Sequence, residues 1–388
     1  MQPVAHSLPS ASSTPGAANA AQRLLQIDLA RQAVLREDKP MSGLLPEPWI
    51  ERSWRRCLVN GHRPQQAVGF DVIPAQALRR IEEANHTLLT AARPVLGQLG
   101  RAVAATRYFA ILTNADGVVV DVNGPVDRHD RRAEVISRIG VDLSEARVGT
   151  TAIGAALTEL QPVWLHRGEH FFDANASYSC AGAPLFGPDG RCVGMLDLTG
   201  IDAVERPELK HLVMHSARSI ENALTLNQPH DLTVRINWPG HNLDEDTDGL
   251  ICLDPDGWVT GANSAARQMI PHLSAALATS IHCSDLFAMS FELLFDGAQP
   301  RASGQRTPVE VPLWSGLRLH AVASRAAGSH ITAPTGLATK PPLALKDVET
   351  AMIHQAVTQA KGNVMQAALA LGISRATVYR KLGNKNRP

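Results

Sequence analysis

Apolar positions along this chain repeat with two different periods. The first hundred residues follow helical spacing. "AAQRLLQIDLARQAVL" carries Leu24, Leu25 and Ile27, with Leu35 further on, and "PEPWIERSWRRCLVNG" sets Trp49, Trp54 and Leu58 on related faces of a turn and helix. Arg52, Arg55 and Arg56 stand on that second helix, where they can touch an anion or line a solvated face. A longer helix is predicted over residues 73–107, with Pro94 as its expected break. Residues 1–20, rich in Ala, Ser and Pro, are predicted to be disordered.

The period then drops to two. "YFAILTNADGVVVDVNG", "CAGAPLFGPDGRCVGMLDLTG" and "GLICLDPDGWVTGAN" each read as two β-runs around a turn that ends in Asp-Gly, a pair suited to positive φ. Between the first two, Thr150 or Thr151 can cap a short helix carrying Ile153, Ala156, Leu157 and Leu160. "RPELKHLVMHSARSIENALTLN" then shows helical spacing through Leu209, Leu212, Val213, Ser216, Ile220, Ala223 and Leu224. That helix can cover a sheet or pair with its copy in a dimer. The expected organisation is multidomain α+β. A disordered N-terminus (1–20) and a helical N-terminal region (21–75) precede one α+β unit (76–228) and a second (229–325). A linker (326–342) and an all-α C-terminal segment (343–388) follow.

Composition adds little to this, and local charge adds more. The 388 residues hold 37 basic and 37 acidic side chains, so net charge names no partner. The five cysteines, Cys57, Cys180, Cys192, Cys252 and Cys283, form no CxxC pair, which fits a reducing compartment. No secretory signal and no apolar run of membrane-spanning length is present, so a cytoplasmic protein without membrane contact is expected. From Lys361 onward, however, six Lys/Arg gather with no Asp or Glu, as a nucleic-acid contact requires.

The spacing within "GNVMQAALALGISRATVYRKLG" sharpens that reading. Asn363 can cap a first short helix with Val364, Ala367, Ala368 and Leu371 on one stripe. Gly372 ends it, Ile373 plugs the turn, and Ser374 caps a second helix anchored by Val378 and Leu382. This is the layout of a helix-turn-helix. Arg375 has the fork that matches guanine O6 and N7, while Asn363, Ser374, Thr377, Arg380 and Lys381 suit phosphates. Double-stranded DNA is the expected partner. The preceding helix, with Val348, Met352, Ile353, Ala356 and Val357 on one side, can complete the small core and offer a dimer surface.

At this point a family resemblance emerges. "LKDVETAMIHQAVTQAKGNVMQAALALGISRATVYRKL" resembles the Fis-type helix-turn-helix that ends many bacterial enhancer-binding activators. "SWRRCLVNG", "VGTTAIGAAL", "EHFFDANASYSCAGAPLFGPDGRCVGMLDLTG" and "ARSIENAL" resemble the sensory half of the acetoin-catabolism type of these activators, whose central fold is a GAF domain. "DTDGLICLDPDGWVTGANSAARQMI" is similar to the opening of a PAS domain. The resemblance implies a GAF-like sensor at 76–228, a PAS-like domain at 229–325 and a Fis-type DNA-binding domain at 343–388. The chain departs from that family in one respect. The AAA+ ATPase module needs G-x-x-x-x-G-K-[ST], and "GTTAIG" is followed by Ala-Ala; the Gly-Ala-Phe-Thr-Gly-Ala loop that engages sigma-54 is missing too. ATP-driven remodelling is therefore not carried over.

GAF and PAS folds set a pocket against a sheet, and "VWLHRGEHFFDANASYSC" is the densest cluster of polar and aromatic side chains here. Trp164, His166, His170, Phe172, Tyr178 and Cys180 are the candidate effector-binding residues, and the family implies small alcohols, ketones or aromatic metabolites. His166 and His170, four apart, with Asp173 and Cys180, have metal-ligand chemistry. They sit where strand gives way to loop, so each is read as a hydrogen-bonded histidine, and no metal or cofactor is expected. Ser177, Ser179 or Cys180 near His170 and Asp173 could be imagined as a catalytic set, but no nucleophile elbow is present; no catalytic residue is assigned and enzyme activity is not expected. A two-residue loop at Pro188-Asp189 would put Cys180 opposite Asp197 and Cys192 opposite Leu185, against a disulfide.

The expected whole is a sequence-specific, homodimeric, one-component transcriptional regulator, with RNA polymerase a further candidate partner. The alternative is a sensory adaptor that acts through protein contacts and uses its C-terminal bundle for assembly.

Overall fold

A computed structural model describes residues 15–36, 47–275, 280–298, 308–325, 357 and 364–370. The chain divides into two compact units, residues 1–329 and 330–388.

The larger unit opens with α1 (Pro15–Leu35) and α2 (Pro48–Val59). α1 starts inside the stretch expected to be disordered, because Pro15 suits a first helical position and the alanines after it have the highest helix propensity. Its buried stripe is Ile27, Ala30 and Val34, whereas Leu24 and Leu25 are exposed. In α2, Trp49 and Trp54 are buried, and the Trp54 indole N–H donates to the Glu169 carbonyl at 2.8 Å. Arg52 and Arg55 are exposed, as a solvated face implies, Arg56 is half-buried, and each of the three pairs with a carboxylate. Arg52 and Arg56 both pair with Glu159, Arg56 also pairs with Glu145 at 2.6 Å, and Arg55 pairs with Glu51.

The predicted long helix is two helices, α3 (Ala75–Ala84) and α4 (His86–Ala102). They break at Asn85 (φ −103, ψ 13), whose side-chain amide donates back to the Ile81 carbonyl, and Pro94 lies inside α4. A hairpin follows, β1 (Tyr108–Asn114) and β2 (Val119–Asn123). Next come α5 (Arg131–Ile136), α6 (Glu145–Val148), α7 (Ala152–Glu159) and β3 (Val163–His166). β4 (Tyr178–Phe186), β5 (Cys192–Ile201) and α8 (Leu209–Leu226) complete this half. The sheet order is β2-β1-β5-β4-β3, antiparallel throughout.

Both faces of this sheet are covered, so β1 is buried along its whole length and β4 and β5 along all but their ends at the hairpin turn. Alternation sorts the side chains. Phe109, Ile111, Val163, Leu165, Tyr178, Cys180 and Met195 face a core shared with α2 and α7. Tyr108, Ala110, Leu112, Trp164, Ala181, Leu196 and Leu198 face one shared with α4 and α8. Of the two readings of α8, the structure shows sheet cover: its buried face includes Val213, Ala217, Ile220 and Leu224. The β4–β5 register differs from the expected one. The turn spans residues 187–191 and a bulge follows at Leu185/Phe186, so Cys180 pairs with Thr199 and Cys192 with Phe186. The two inserted residues move every partner along, and all five cysteines are free.

A second sheet lies in the same unit. β6 (Leu232–Asn237), β7 (Gly249–Leu253) and β8 (Val259–Ala262) precede α9 (Ser264–Met269), α10 (His272–Ala275), α11 (Cys283–Leu286) and α12 (Glu292–Gly297). β9 (Val309–Pro312) and β10 (Arg318–Arg325) close it, in the order β8-β7-β6-β10-β9. The β9–β10 hairpin escaped the sequence reading because its turn carries Ser-Gly rather than Asp-Gly. In all three Asp-Gly turns the glycine has positive φ: +83° at Gly117, +83° at Gly190 and +88° at Gly257. In the smaller unit the described helix is Val364–Ala370, in which Ala368 is buried and Met365 exposed. The DNA-contact candidates Asn363, Ser374, Arg375, Thr377, Arg380 and Lys381 lie outside the described residues.

Candidate effector cavity

Between the first sheet and the helices on its α2/α7 face lies a cavity. Ile111 comes from β1, Tyr178 and Cys180 from β4, and Asp197 and Thr199 from β5. Thr151, Ala152 and Ile153 form the start of α7, and His170 and Asn175 descend from the loop between β3 and β4. Phe70, Ile136, Leu143 and Val148 close the rest. The cavity is small, with a free volume of about 30 Å³.

Local structure places each polar group. Thr151, one of the two expected caps, is the N-cap of α7 and accepts from the Gly154 N–H at 3.1 Å. Leu160, expected on the apolar stripe, is instead the exposed left-handed residue that ends α7. Gly149 (φ +68) is obligatory where the chain passes the Phe171–Phe172 pair, since a Cβ there would stand 2.7 Å from the Phe172 ring. The β3–β4 loop is strapped down by α1. Arg23 pairs with the fully buried Glu169 at 3.0 Å, and Arg31 donates to the Phe171 carbonyl and pairs with Asp173 at 2.6 Å. Glu169 in turn accepts the His166 N–H at 2.6 Å.

Three buried polar side chains line the cavity with one atom each lacking a protein partner: His170 Nε2, Asn175 Oδ1 and Asp197 Oδ1. Their other ends are tied. His170 Nδ1 lies 2.9 Å from the Arg167 carbonyl, Asn175 Nδ2 donates to the Val148 carbonyl at 3.2 Å, and Asp197 Oδ2 accepts from the Thr199 hydroxyl. Burial dominates the titration of these groups. It lowers His170 to about 4 and raises Asp197 to about 7, although the Thr199 hydrogen bond opposes the latter. The Cys180 thiol is pushed well above its ordinary range by burial and by the nearby Asp197, and the Tyr178 phenol is raised by burial. The imidazole is neutral and the thiol protonated at neutral pH.

Of the six candidate effector residues, His170, Tyr178 and Cys180 line this cavity. Trp164 and His166 do not. The two-residue period of β3 turns them to the opposite face, where Trp164 joins the α4/α8 core and His166 Nδ1 meets Ser179 Oγ at 2.8 Å. Phe172 packs edge-on against Phe171 and His62, with ring centroids 5.3 Å away in each case, just outside the lining. Asn175, Asp197 and Thr199 were missed. Asp197 carried a readable signal, since "GMLDLTG" sets a lone carboxylate at an alternating position of a buried strand. Of the imagined catalytic set, His170 Nδ1 faces the Arg167 carbonyl, Asp173 pairs with Arg31, and Ser179 meets His166. Among the described residues no three His, Cys, Asp or Glu side chains are grouped as metal ligands, and no helix is long and apolar enough to cross a membrane.

Comparison with known proteins gives the class. Residues 344–384 match the bacterial regulatory proteins of the Fis family, and residues 63–222 match the N-terminal domain of MimR. The chain therefore carries a region similar to the MimR N-terminal domain, followed by a segment that matches the Fis family. Among particular proteins, it is 29% identical over 254 residues to the acetoin catabolism regulatory protein of Cupriavidus necator, covering 64% of this chain and 37% of that one. It is 30% identical over 179 residues to the acetoin dehydrogenase operon activator AcoR of Bacillus subtilis, 45% of this chain and 29% of that one. It is 31% identical over 143 residues to the propane 2-monooxygenase operon activator MimR of Mycolicibacterium goodii, 36% of this chain and 24% of that one. The chain thus spans between about a quarter and two fifths of these relatives' lengths. Among solved structures, the Escherichia coli DhaR(N)–DhaL complex aligns with TM-score 0.43 and 16% identity, over 72% of this chain and 99% of that one.

Proposed function

We propose that this chain is a one-component regulator in which the cavity binds a small effector and the C-terminal segment binds operator DNA. The observation that carries the sensor half is the set of three buried, unpartnered polar atoms on a cavity wall half of whose residues are apolar. The Fis-family match carries the DNA half. In this reading residues 76–228 are a GAF-like sensor, 229–325 a PAS-like unit and 326–342 a linker to the reader at 343–388. Arg375 reads a base, and Asn363, Ser374, Thr377, Arg380 and Lys381 hold phosphates. The protein works as a homodimer, so that two recognition helices meet half-sites ~34–36 Å apart. RNA polymerase is its downstream partner, and the cytoplasm its compartment, as five free cysteines suit. No ATP hydrolysis is assigned, because the sequence carries no G-x-x-x-x-G-K-[ST] spacing.

The experiment is a truncation ending before Lys346, compared with the full chain. The truncated protein is expected to keep the full chain's near-ultraviolet circular dichroism and lose specific binding to duplex DNA. Specific binding retained by the truncation would place the DNA reader elsewhere.

A further inference from the structure

Two fixed acceptors, one carboxyl oxygen that switches with its proton, and one spare hydroxyl donor line the cavity, and this balance says what kind of ligand fits. The Arg167 carbonyl can only accept, so the hydrogen of neutral His170 sits on Nδ1 and Nε2 presents a bare lone pair. The Val148 carbonyl likewise fixes the Asn175 amide nitrogen toward itself, leaving Oδ1 as an acceptor. Asp197 Oδ2 takes the Thr199 hydroxyl hydrogen, so Oδ1 accepts while the carboxyl is ionised and donates when the carboxyl holds its proton. On the donor side, the Tyr178 hydroxyl is committed to the Arg132 carbonyl at 3.3 Å and the Thr199 hydroxyl to Asp197. Only the Thr151 hydroxyl hydrogen is left over among the lining hydroxyls. No Lys or Arg lines the cavity, so a carboxylate would enter without a countercharge and beside Asp197.

We propose that the cavity selects ligands that donate hydrogen bonds, a small alcohol over the ketone of the same skeleton, with His170 and Asn175 as the residues that set this preference. The inference rests on the effector-cavity reading above. A ketone carbonyl offers no hydrogen and would leave two or three buried acceptors unpaired, whereas a hydroxyl satisfies one directly and can accept from Thr151 at the same time. The small free volume limits the skeleton to a few carbon atoms unless the walls yield.

The test uses thermal unfolding of the full chain with matched probes: propan-2-ol against acetone, and butan-2-ol against butan-2-one. The alcohol is expected to raise the unfolding temperature saturably, with a half-saturating concentration about tenfold below that of its ketone. His170→Phe removes one acceptor and leaves Asn175 Oδ1, and it should narrow the gap between the two probes. Asp197→Asn supplies an N–H donor and should move the preference toward the ketone, which keeps the question answerable if the His170 variant does not fold. A ketone as potent as its alcohol would overturn the donor preference and leave the effector cavity standing. If no probe gives a saturable rise, both readings fall, and the polar atoms are those of a structural water site.

Discussion

Asp197 and His170 titrate in opposite directions inside one cavity, and this has a measurable consequence. Burial raises the Asp197 carboxyl from 3.8 to about 7, so the folded state keeps a proton that the unfolded chain loses above about pH 4. Its contribution to stability therefore falls as pH rises from about 4 to about 7. His170 is lowered from 6.5 to about 4, so the unfolded chain takes up a proton over a window where the folded one does not. Its contribution rises between about pH 4 and 6.5. Asp197→Asn should therefore gain unfolding temperature relative to the parent as pH rises through that window, and His170→Phe should lose it. Glu169 and Glu221, both raised by burial to about 7, are common to all three proteins and drop out of the difference. Parallel curves for parent and Asp197→Asn would contradict the assigned burial of that carboxyl. Sequence reading found His170 at this scale, and strand alternation separates it from Trp164 and His166, which were grouped with it by proximity along the chain.

Among the elements, α8 and the β4–β5 hairpin connect the two sheets. The Pro188 carbonyl, at the hairpin tip, accepts from the Ala262 N–H at 2.9 Å and from Arg267. Glu221 on α8 accepts the Phe186 N–H at 2.9 Å. Asn263 ties the seam together. Its amide nitrogen donates to Asn222 Oδ1 at 2.7 Å and to the Asp248 carbonyl at 2.8 Å, and its oxygen accepts from the Leu250 and Ala266 N–H groups. Asn263→Ala leaves several buried groups unpaired and should cost about 2–4 kcal/mol, read as a lower denaturation midpoint. A change under about 0.5 kcal/mol would mean that the seam is not energetically coupled. Most of the elements here were legible: the Asp-Gly turns, the Thr151 cap and the α8 stripe all appear as local patterns. The break at Asn85, the β9–β10 hairpin and the β4–β5 bulge were not, because each depends on a weak local signal or on an inserted residue that no periodicity marks.

For the whole molecule, the proposed function requires that ligand state in the cavity change DNA affinity. That requires the ligand to bind two arrangements of the protein with different strength. The reader can be tested separately. Arg375→Ala should weaken specific operator binding by about 1–3 kcal/mol and relax one base position, while leaving the salt dependence of non-specific binding nearly unchanged. A gel-shift series over altered operators measures this, and unchanged discrimination would remove Arg375 from base reading.

Several features of this protein follow from its sequence alone: two β-rich stretches built on Asp-Gly turns, a helix that ends the first of them, and a basic helix-turn-helix pattern at the C-terminus. These depend on interactions within about ten residues, where spacing and turn chemistry suffice. Tertiary structure alone decided which face of β3 meets the cavity, that Asp197 and Asn175 belong to it, and that Arg52 and Arg56 of α2 are spent on Glu145 and Glu159. Those outcomes depend on strand register and on partners up to about a hundred residues away, which a pattern along the chain does not encode.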